Sequence, residues 1–385
     1  MIRKAGNSIL FDARLALSHP TGIGSYINAL LPEVLNQASC LHIHLLRRPD
    51  PWSGYGIAKW EAPNLTQHVS SMPHMSLQQH IYLSDLARQL KVDVIHYPHF
   101  DAPVYWRPAP VIATMYDVKY LAHPEFFAAK SAVKNAYMRF SYAQTLKRAA
   151  AILAISDCTK SDLERLFRVL PERIHTTHLA AASTYRPASL EAQAQVRAKF
   201  ALTRPFVLSV GERRPHKNHH GLIRAYARSK SRATHDLVIV GQAYRDYTVP
   251  ESTVEELNLP GKVHFLDAVD NTELAALYSA AALFVLVSFY EGFGLPLLEA
   301  MACGAPVIAS HTTATGEVTG DGGLQVNPAD IAEIAAAVDK LLTDQNLRAA
   351  QIERGFAWQR QFSWQRTAAQ TLAVYEKVLQ ANVKF

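Results

Sequence analysis

The chain has 385 residues, of which 49% are hydrophobic and 19% charged, and its formal net charge is +6 at pH 7. This composition excludes a disordered chain, and the length exceeds one ordinary hydrophobic core, so we expect two domains. The sequence has no uncharged apolar stretch of about twenty residues and no apolar signal peptide after Met1, which predicts a cytoplasmic protein. Its three cysteines are far apart, so we expect neither disulfides nor a zinc cluster.

The first half alternates between short apolar runs and helix-like segments. The runs predict strands at 8–11, 41–46, 92–96, 110–114 and 151–155. Between the first two, apolar residues recur at helical spacing from Tyr26 to Gln37. Strands that alternate with helices are typical of a doubly wound parallel sheet, so residues 1–180 are predicted to form one Rossmann-like domain.

The second half repeats this pattern after a proline-bounded linker at 181–205. Its predicted strands are 206–211, 237–241, 263–266, 283–287 and 306–309. Several of these runs are apolar without alternation, as expected of strands covered on both faces. Residues 206–360 therefore form a second predicted domain, and helix 361–385 is expected to cross back to the first. The predicted fold class is α/β, with two Rossmann-like doubly wound domains facing a cleft.

The segment from Ser288 to Pro306 carries the strongest functional signal. A buried strand ends at its start, a glycine turn follows, and Pro296 fits the first turn of a helix. Such a helix start offers unpaired N–H groups and a positive dipole end to an anion. Two glutamates eight positions apart, Glu291 and Glu299, flank this helix start and can accept hydrogen bonds from sugar or ribose hydroxyls.

This segment resembles the signature of the group 1 glycosyltransferases, a family of retaining enzymes with the GT-B fold. The resemblance implies that Glu291 contacts the transferred sugar and Glu299 the nucleotide ribose. It also places the turn residues Gly292, Phe293, Gly294 and Leu295 against the donor. In the family, the anomeric configuration is retained by a front-face route in which the donor phosphate helps to deprotonate the acceptor.

A second match runs from Val210 to Asn218. Gly211 follows a strand, and Lys217 precedes a helix, where it would meet a diphosphate as a point charge. Many relatives have arginine directly after the glycine, whereas this chain has Glu212, so the second phosphate-binding cation is Arg213 or Arg214, with Arg213 preferred. The donor base is expected to lie near Leu266.

The N-terminal half resembles the family at fewer positions. Gly22 and Gly24 match a glycine loop that borders donor and acceptor. Asp117 follows Tyr116, which stands where the family has histidine, so no catalytic histidine is carried over. Asp117 is a candidate for binding sugar hydroxyls, with helix capping as the alternative, and Ser156 or Asp157 is expected to cap a helix. The predicted catalytic set is Glu291, Lys217 and Asp117.

Cofactors and partners follow from what the sequence lacks and from its charge. No metal-binding pattern, P-loop or serine nucleophile motif is present, so we expect a metal-independent transferase with no nucleic-acid partner. The resemblance to the family implies a nucleotide-sugar donor, and analogy with bacterial polysaccharide assembly favours GDP-mannose, with a saccharide or polyprenyl-linked saccharide as acceptor. The basic stretch 127–148 suggests peripheral contact with the cytoplasmic membrane face. A nucleotide-sugar epimerase and a catalytically silent binding protein remain alternatives.

Overall fold

The computed structural model describes residues 6–16, 22–49, 61–126, 132–244 and 247–382. The chain divides into two compact units, each with its own parallel sheet. The first unit comprises Met1–Ala122, Ala129–Leu179 and Ser363–Phe385, and the second comprises His123–Ala128 and Ala180–Phe362. The predicted class of two Rossmann-like α/β domains is confirmed.

The first unit is built on seven parallel strands in the order β3-β2-β1-β4-β5-β6-β7. Its strands are β1 (Ser8–Asp12), β2 (His42–Arg47), β3 (Leu65–Val69), β4 (Val94–Tyr97), β5 (Val111–Met115), β6 (Ala151–Ala154) and β7 (Ile174–Thr176). Its helices up to residue 179 are α1 (Gly22–Gln37), α2 (Leu77–Leu90), α3 (Lys119–Ala122), α4 (Ala132–Arg148) and α5 (Asp157–Phe167).

The second unit is built on six parallel strands in the order β10-β9-β8-β11-β12-β13. Its strands are β8 (Phe206–Val210), β9 (Asp236–Val240), β10 (Val263–Leu266), β11 (Leu283–Leu286), β12 (Val307–Ser310) and β13 (Leu324–Val326). Its helices are α6 (Leu190–Lys199), α7 (His219–Arg228), α8 (Val249–Glu256), α9 (Asn271–Ala280), α10 (Leu295–Ala302), α11 (Thr313–Thr319), α12 (Ile331–Thr343) and α13 (Gln345–Gln359). The last helix of the chain, α14 (Trp364–Asn382), belongs to the first unit.

Three strands were not predicted from the sequence, and each lies at the edge of its sheet. β3 reads LTQHV, and none of its side chains is fully buried. β7 and β13 have only three residues each. Edge strands are short and partly solvated, so they lack the apolar run that identifies a central strand.

The segment 181–205, predicted as a linker, is part of the second unit in the structure. It contains α6, which packs against α9. The Ala188 backbone N–H donates to the Ser279 hydroxyl at 2.9 Å, and Lys199 pairs with Glu273. These contacts hold the segment to the second sheet's helices, so it is not a separate connector.

The order of the second sheet places its switch point between β8 and β11. The chain moves outward from β8 to β10 and then returns to add β11 on the other side of β8. Ligands bind outside the carboxyl ends of parallel strands at such a point, because the connecting loops there diverge to opposite faces. The segments after β8 and β11 are therefore neighbours.

The C-terminal helix α14 joins the first unit by packing on α1. Its Tyr375 hydroxyl lies 2.5 Å from Nδ1 of His96, and Nε2 of the same ring lies 2.8 Å from the Thr114 hydroxyl. Burial lowers the pKa of His96 to about 3, so the ring is neutral and has one N–H to donate. In the described part of the chain, no helix has both the length and the apolarity to cross a membrane.

We expect Tyr375→Phe to destabilise the protein, because the variant leaves one nitrogen of the buried His96 ring without a partner. The expected loss is about 1–3 kcal/mol of unfolding free energy, measured by denaturant titration. Tyr105→Phe is the control, since its buried hydroxyl has no partner among the described residues. Equal stability of the two variants would contradict a structural role for the Tyr375–His96 bond.

Candidate functional site

The turn after β11 forms one wall of the candidate site. Gly294 has φ of 101° and is the N-cap of α10, a left-handed conformation that other residues adopt at a cost. Pro296 lies in the first turn of the helix, as the sequence predicts, and the glycine N-cap has no side chain with which to cap this end. The N-terminus of α10 therefore presents a positive dipole end beside Glu291.

Lys217 and Glu291 meet at the centre of the site. Nζ of Lys217 lies 2.6 Å from Oε1 of Glu291, and the Ser288 hydroxyl donates to the same oxygen at 2.7 Å. Both charged side chains are largely buried, with 16% and 12% of their surface exposed. Each charge is thus the counter-ion of the other, which reduces the cost of holding both away from water.

Asn218 and Gly211 fix the position of Lys217. Asn218 adopts a left-handed conformation with φ of 57°, and its amide donates to the Val287 carbonyl at 3.1 Å and the Pro328 carbonyl at 2.7 Å. A side chain at Gly211 would place Cβ 3.3 Å from the Lys217 chain. The Lys217 side chain therefore runs close along the backbone at Gly211, and the hydrogen bonds of the next residue, Asn218, fix where the lysine begins.

Glu299 lies in the middle of α10 and accepts a hydrogen bond from the Tyr278 hydroxyl at 2.9 Å. Burial raises the pKa of this carboxyl group to about 7, although hydrogen bonds from Tyr278 and Tyr185 act in the opposite direction. The carboxyl group therefore changes its charge near neutral pH. Sequence reasoning missed both tyrosines, because they lie on α9 and before α6 with no pattern linking them to Glu299.

Arg213, the preferred second phosphate-binding cation, already forms ion pairs with two carboxylates in the structure. It is only 3% exposed and forms ion pairs with Glu251 and Asp267, both at 2.7 Å. Arg214 pairs with Glu212 at 2.7 Å, with its guanidinium 3.9 Å from the centroid of the Tyr244 ring. The two arginines thus have carboxylate partners, which the sequence order did not reveal.

Further hydroxyl groups that the sequence analysis did not identify support the turn around Glu291. The Ser310 hydroxyl donates to the Ser288 carbonyl at 2.7 Å and lies 2.8 Å from the Thr315 hydroxyl. The Glu291 N–H donates to the Thr313 hydroxyl at 3.2 Å. Among the other predicted donor residues, Phe293 is buried, and the Leu266 carbonyl accepts from the Gly241 N–H at the end of β9.

In the first unit, the predicted residues lie at the carboxyl ends of β1 and β5. Gly22 and Gly24 form the first turn of α1, and residues 17–21 before them lie outside the described residues. Asp117 accepts from the backbone N–H and from Nζ of Lys119, at 3.2 and 2.9 Å. Ser156 caps α5 through the Thr159 N–H at 3.0 Å, as expected.

A histidine–aspartate pair that the sequence analysis did not identify lies close to Asp117. His99 pairs through Nδ1 with the buried Asp101, whose other oxygen accepts from the Gln79 amide at 2.6 Å. His99, Tyr116 and Asp117 line one cavity of about 240 Å³ within the first unit. His99, which follows β4, thus lines the same cavity as Tyr116. Tyr116 is the residue that stands where the family has a histidine.

Comparison with known proteins places this geometry in context. Residues 192–358 match the family described as glycosyl transferases group 1, and residues 51–180 match glycosyltransferase family 4. An O-antigen chain mannosyltransferase B of Escherichia coli is 36% identical over 292 residues, 75% of each chain. An MMP alpha-(1->4)-mannosyltransferase of Mycolicibacterium hassiacum is 31% identical over 62% of this chain and 58% of its own length.

Solved structures share the fold along nearly the whole chain. A sucrose-phosphate synthase from Thermosynechococcus elongatus has a TM-score of 0.76 at 21% identity and covers 97% of this chain and 100% of its own. Anabaena HepE, solved with UDP and glucose, has a TM-score of 0.76 at 19% identity, covering 96% and 100%. At these identities the structures establish the fold alone.

We expect Glu299→Gln to gain stability relative to the wild type as pH rises. The pKa of about 7 in the folded protein lies above the usual glutamate value of 4.5, so the folded state loses stability between about pH 4.5 and pH 7. The difference is at most about 3 kcal/mol, measured by denaturant titration across this range. The exposed Glu353→Gln variant serves as control, and a parallel pH profile in Glu299→Gln and wild type would refute the assignment.

Proposed function

Because the chain belongs to the group 1 glycosyltransferases, we propose that it transfers mannose from a nucleoside-diphosphate donor to a saccharide hydroxyl with retention of configuration. The observation that carries this proposal is the Lys217–Glu291 pair beside the start of α10, whose N-cap is a glycine. It brings together a cation for phosphate, a carboxylate for sugar hydroxyls and a helix dipole.

The donor binds with its diphosphate at the N-terminus of α10. Lys217 contacts the phosphates, Glu291 accepts hydrogen bonds from the sugar, and Glu299 accepts them from the ribose hydroxyls. The acceptor oxygen attacks the anomeric carbon while the bond from that carbon to the phosphate oxygen breaks. The bonding electrons stay on the leaving phosphate, which takes the acceptor proton, so the step needs no further base.

The same site needs no metal ion in this proposal. The leaving diphosphate gains negative charge as the glycosidic bond breaks, and the ammonium of Lys217 together with the helix dipole offsets that charge. Arg213 forms ion pairs with Glu251 and Asp267, so its role in this proposal is to hold the loop after β8 in place and not to bind phosphate.

The names of the relatives support the choice of mannose. The proteins from Escherichia coli and Mycolicibacterium hassiacum are both named mannosyltransferases. We extend this to GDP-mannose as donor and to a saccharide chain, free or polyprenyl-linked, as acceptor in surface polysaccharide synthesis. Peripheral contact with the membrane face would bring the enzyme to such a lipid-linked acceptor.

The acceptor binds beside His99 and Asp117 in the first unit. Asp101 holds His99 through Nδ1 and is itself held by Gln79 and by the Tyr97 hydroxyl, so the ring has a fixed orientation. With Nδ1 donating to the carboxylate, Nε2 can accept a hydrogen bond from an acceptor hydroxyl. This arrangement gives the first unit a histidine although Tyr116 replaces the one expected from the family.

We expect GDP to raise the melting temperature by about 5 °C at a hundredfold excess over Kd, with or without EDTA. UDP and ADP should have smaller effects. Lys217→Ala should abolish the shift, because the diphosphate loses its cation, whereas the exposed Lys340→Ala should retain it. A shift that needs a divalent metal would contradict the metal-free site, and an undiminished shift in Lys217→Ala would contradict the donor position.

His99→Asn is expected to raise the acceptor KM about tenfold, because one hydrogen bond to a polar ligand is lost. The donor-induced melting shift should stay unchanged, since the substitution lies in the other unit. His42→Asn, at a partly exposed strand position of the same unit, is the matched control. Normal acceptor kinetics in His99→Asn would remove His99 from the acceptor site.

A further inference from the structure

A cationic pocket of about 720 Å³ lies in the first unit, beside the amino-terminal ends of β5, β6 and β7. Among the described residues, its lining holds a single carboxylate, that of Glu172. The cationic side chains in the lining are Arg107, Lys147, Arg148, Arg173 and Lys377. A large part of the net charge of +6 is therefore concentrated at one depression of the surface.

Within the described part of the chain, none of these cations forms an ion pair with a carboxylate, although Glu172 lies near enough to Arg173 to favour its charged form. Arg107 instead donates to the Arg148 carbonyl, Arg173 to the Ala149 carbonyl, and Lys377 to the Glu172 carbonyl at 3.2 Å. Burial, and after it the proximity of Arg107, lowers the pKa of Arg173. Capping of the α4 C-terminus accounts for Arg107 and Arg173, but it does not account for Lys377 on α14.

An apolar groove of about 330 Å³ lies next to this pocket, between α2 and α4. Its rim exposes four large apolar side chains to solvent, and for each of them more than half of the surface is accessible. They are Leu77 at 75%, Trp106 at 59%, Phe140 at 54% and Ile81 at 52%. An exposed apolar patch of this kind, rimmed by polar residues, is typical of an interaction site and not of an ordinary surface.

Arg148 connects the groove to the pocket. Its guanidinium lies 5.0 Å from the centroid of the Tyr105 ring, and its Nε donates to the Gln144 side chain at 3.1 Å. Tyr105 and Gln144 line the groove, whereas Arg148 lines the pocket. An anion site and an apolar channel thus share one wall, which suits a ligand that has an acidic head and a hydrocarbon chain.

We propose that this surface binds an acidic phospholipid of a bilayer, with the phosphate in the cationic pocket and an acyl chain in the apolar groove. The inference rests on the peripheral membrane contact proposed above and assigns it to defined residues. Of the basic stretch 127–148 predicted from the sequence, Lys147 and Arg148 line the pocket, while residues 127–131 lie outside the described residues.

The position of the cationic pocket favours a bilayer lipid over the lipid of a bound acceptor, although the apolar groove extends to Asp101, the partner of His99. Asp117 and His99 lie beyond the carboxyl ends of β5 and β4, whereas the pocket lies at the amino ends. A strand of five residues separates these edges by about 16 Å. The lipid phosphate is therefore remote from the acceptor hydroxyl and serves attachment to the membrane.

Co-sedimentation of the full chain with vesicles tests the proposal. We expect binding to phosphatidylglycerol-containing vesicles and not to pure phosphatidylcholine, with binding reduced by salt. The double variant Trp106→Ser, Phe140→Ser should bind these vesicles about tenfold or more weakly, because the apolar contact is lost. Arg148→Gln with Lys377→Gln should weaken it about fivefold per charge.

Matched controls are Leu190→Ser, for an exposed apolar residue in the second unit, and Lys230→Gln, for an exposed cation. Both should bind vesicles as the wild type does. Unchanged binding in either double variant would overturn the proposal, as would displacement of the protein from vesicles by inorganic phosphate when sodium chloride of the same ionic strength leaves it bound. The GDP-induced melting shift, measured on the same variants, shows separately whether the donor site is intact.

Discussion

The parallel pairing of β8 with β11 is the constraint from which the rest of the site follows. It places the carboxyl ends of two strands side by side, so the loops after them bring Lys217 and Glu291 together across 74 positions of sequence. Asn218 then fixes the distance by bonding to Val287 at the end of the β11 segment. Without this adjacency, neither charge would have a partner in a largely buried place.

The site retains groups that reduce the stability of the fold. Burial raises the pKa of Glu299 to about 7, so the carboxyl group is partly ionised at neutral pH although burial disfavours its charge. Among the described residues, hydrogen bonds from the tyrosine hydroxyls are what offset this penalty. A glutamine would fill the same space with less penalty. A carboxyl group kept under these conditions is typical of a ligand site, because hydroxyl groups of a bound ligand can replace the missing solvent.

Two departures from the family pattern acquire a physical explanation in the structure. Glu212 replaces an expected arginine, and it forms an ion pair with Arg214. Tyr116 replaces an expected histidine, and its ring packs edge-on against Tyr26, while His99 enters the same cavity from β4. The loops after β4 and β5 thus both contribute to this cavity, because the two strands are neighbours in the first sheet.

The fold class, the central strands and the turn that begins α10 could be predicted from the sequence, because these depend on local hydrophobic pattern and on glycine and proline geometry. Lys217 and the two glutamates were selected as site candidates because two separate segments, 210–218 and 288–306, resemble the family's motifs. Three edge strands could not be predicted, since their side chains are partly exposed to solvent and the strands are short. Three contacts became visible only in the folded chain. They are the bond from Tyr278 to Glu299, the carboxylate partners of Arg213 and the His99–Asp101 pair. Each depends on which strand ends and helix faces meet, and that information is not present in any local segment of the chain.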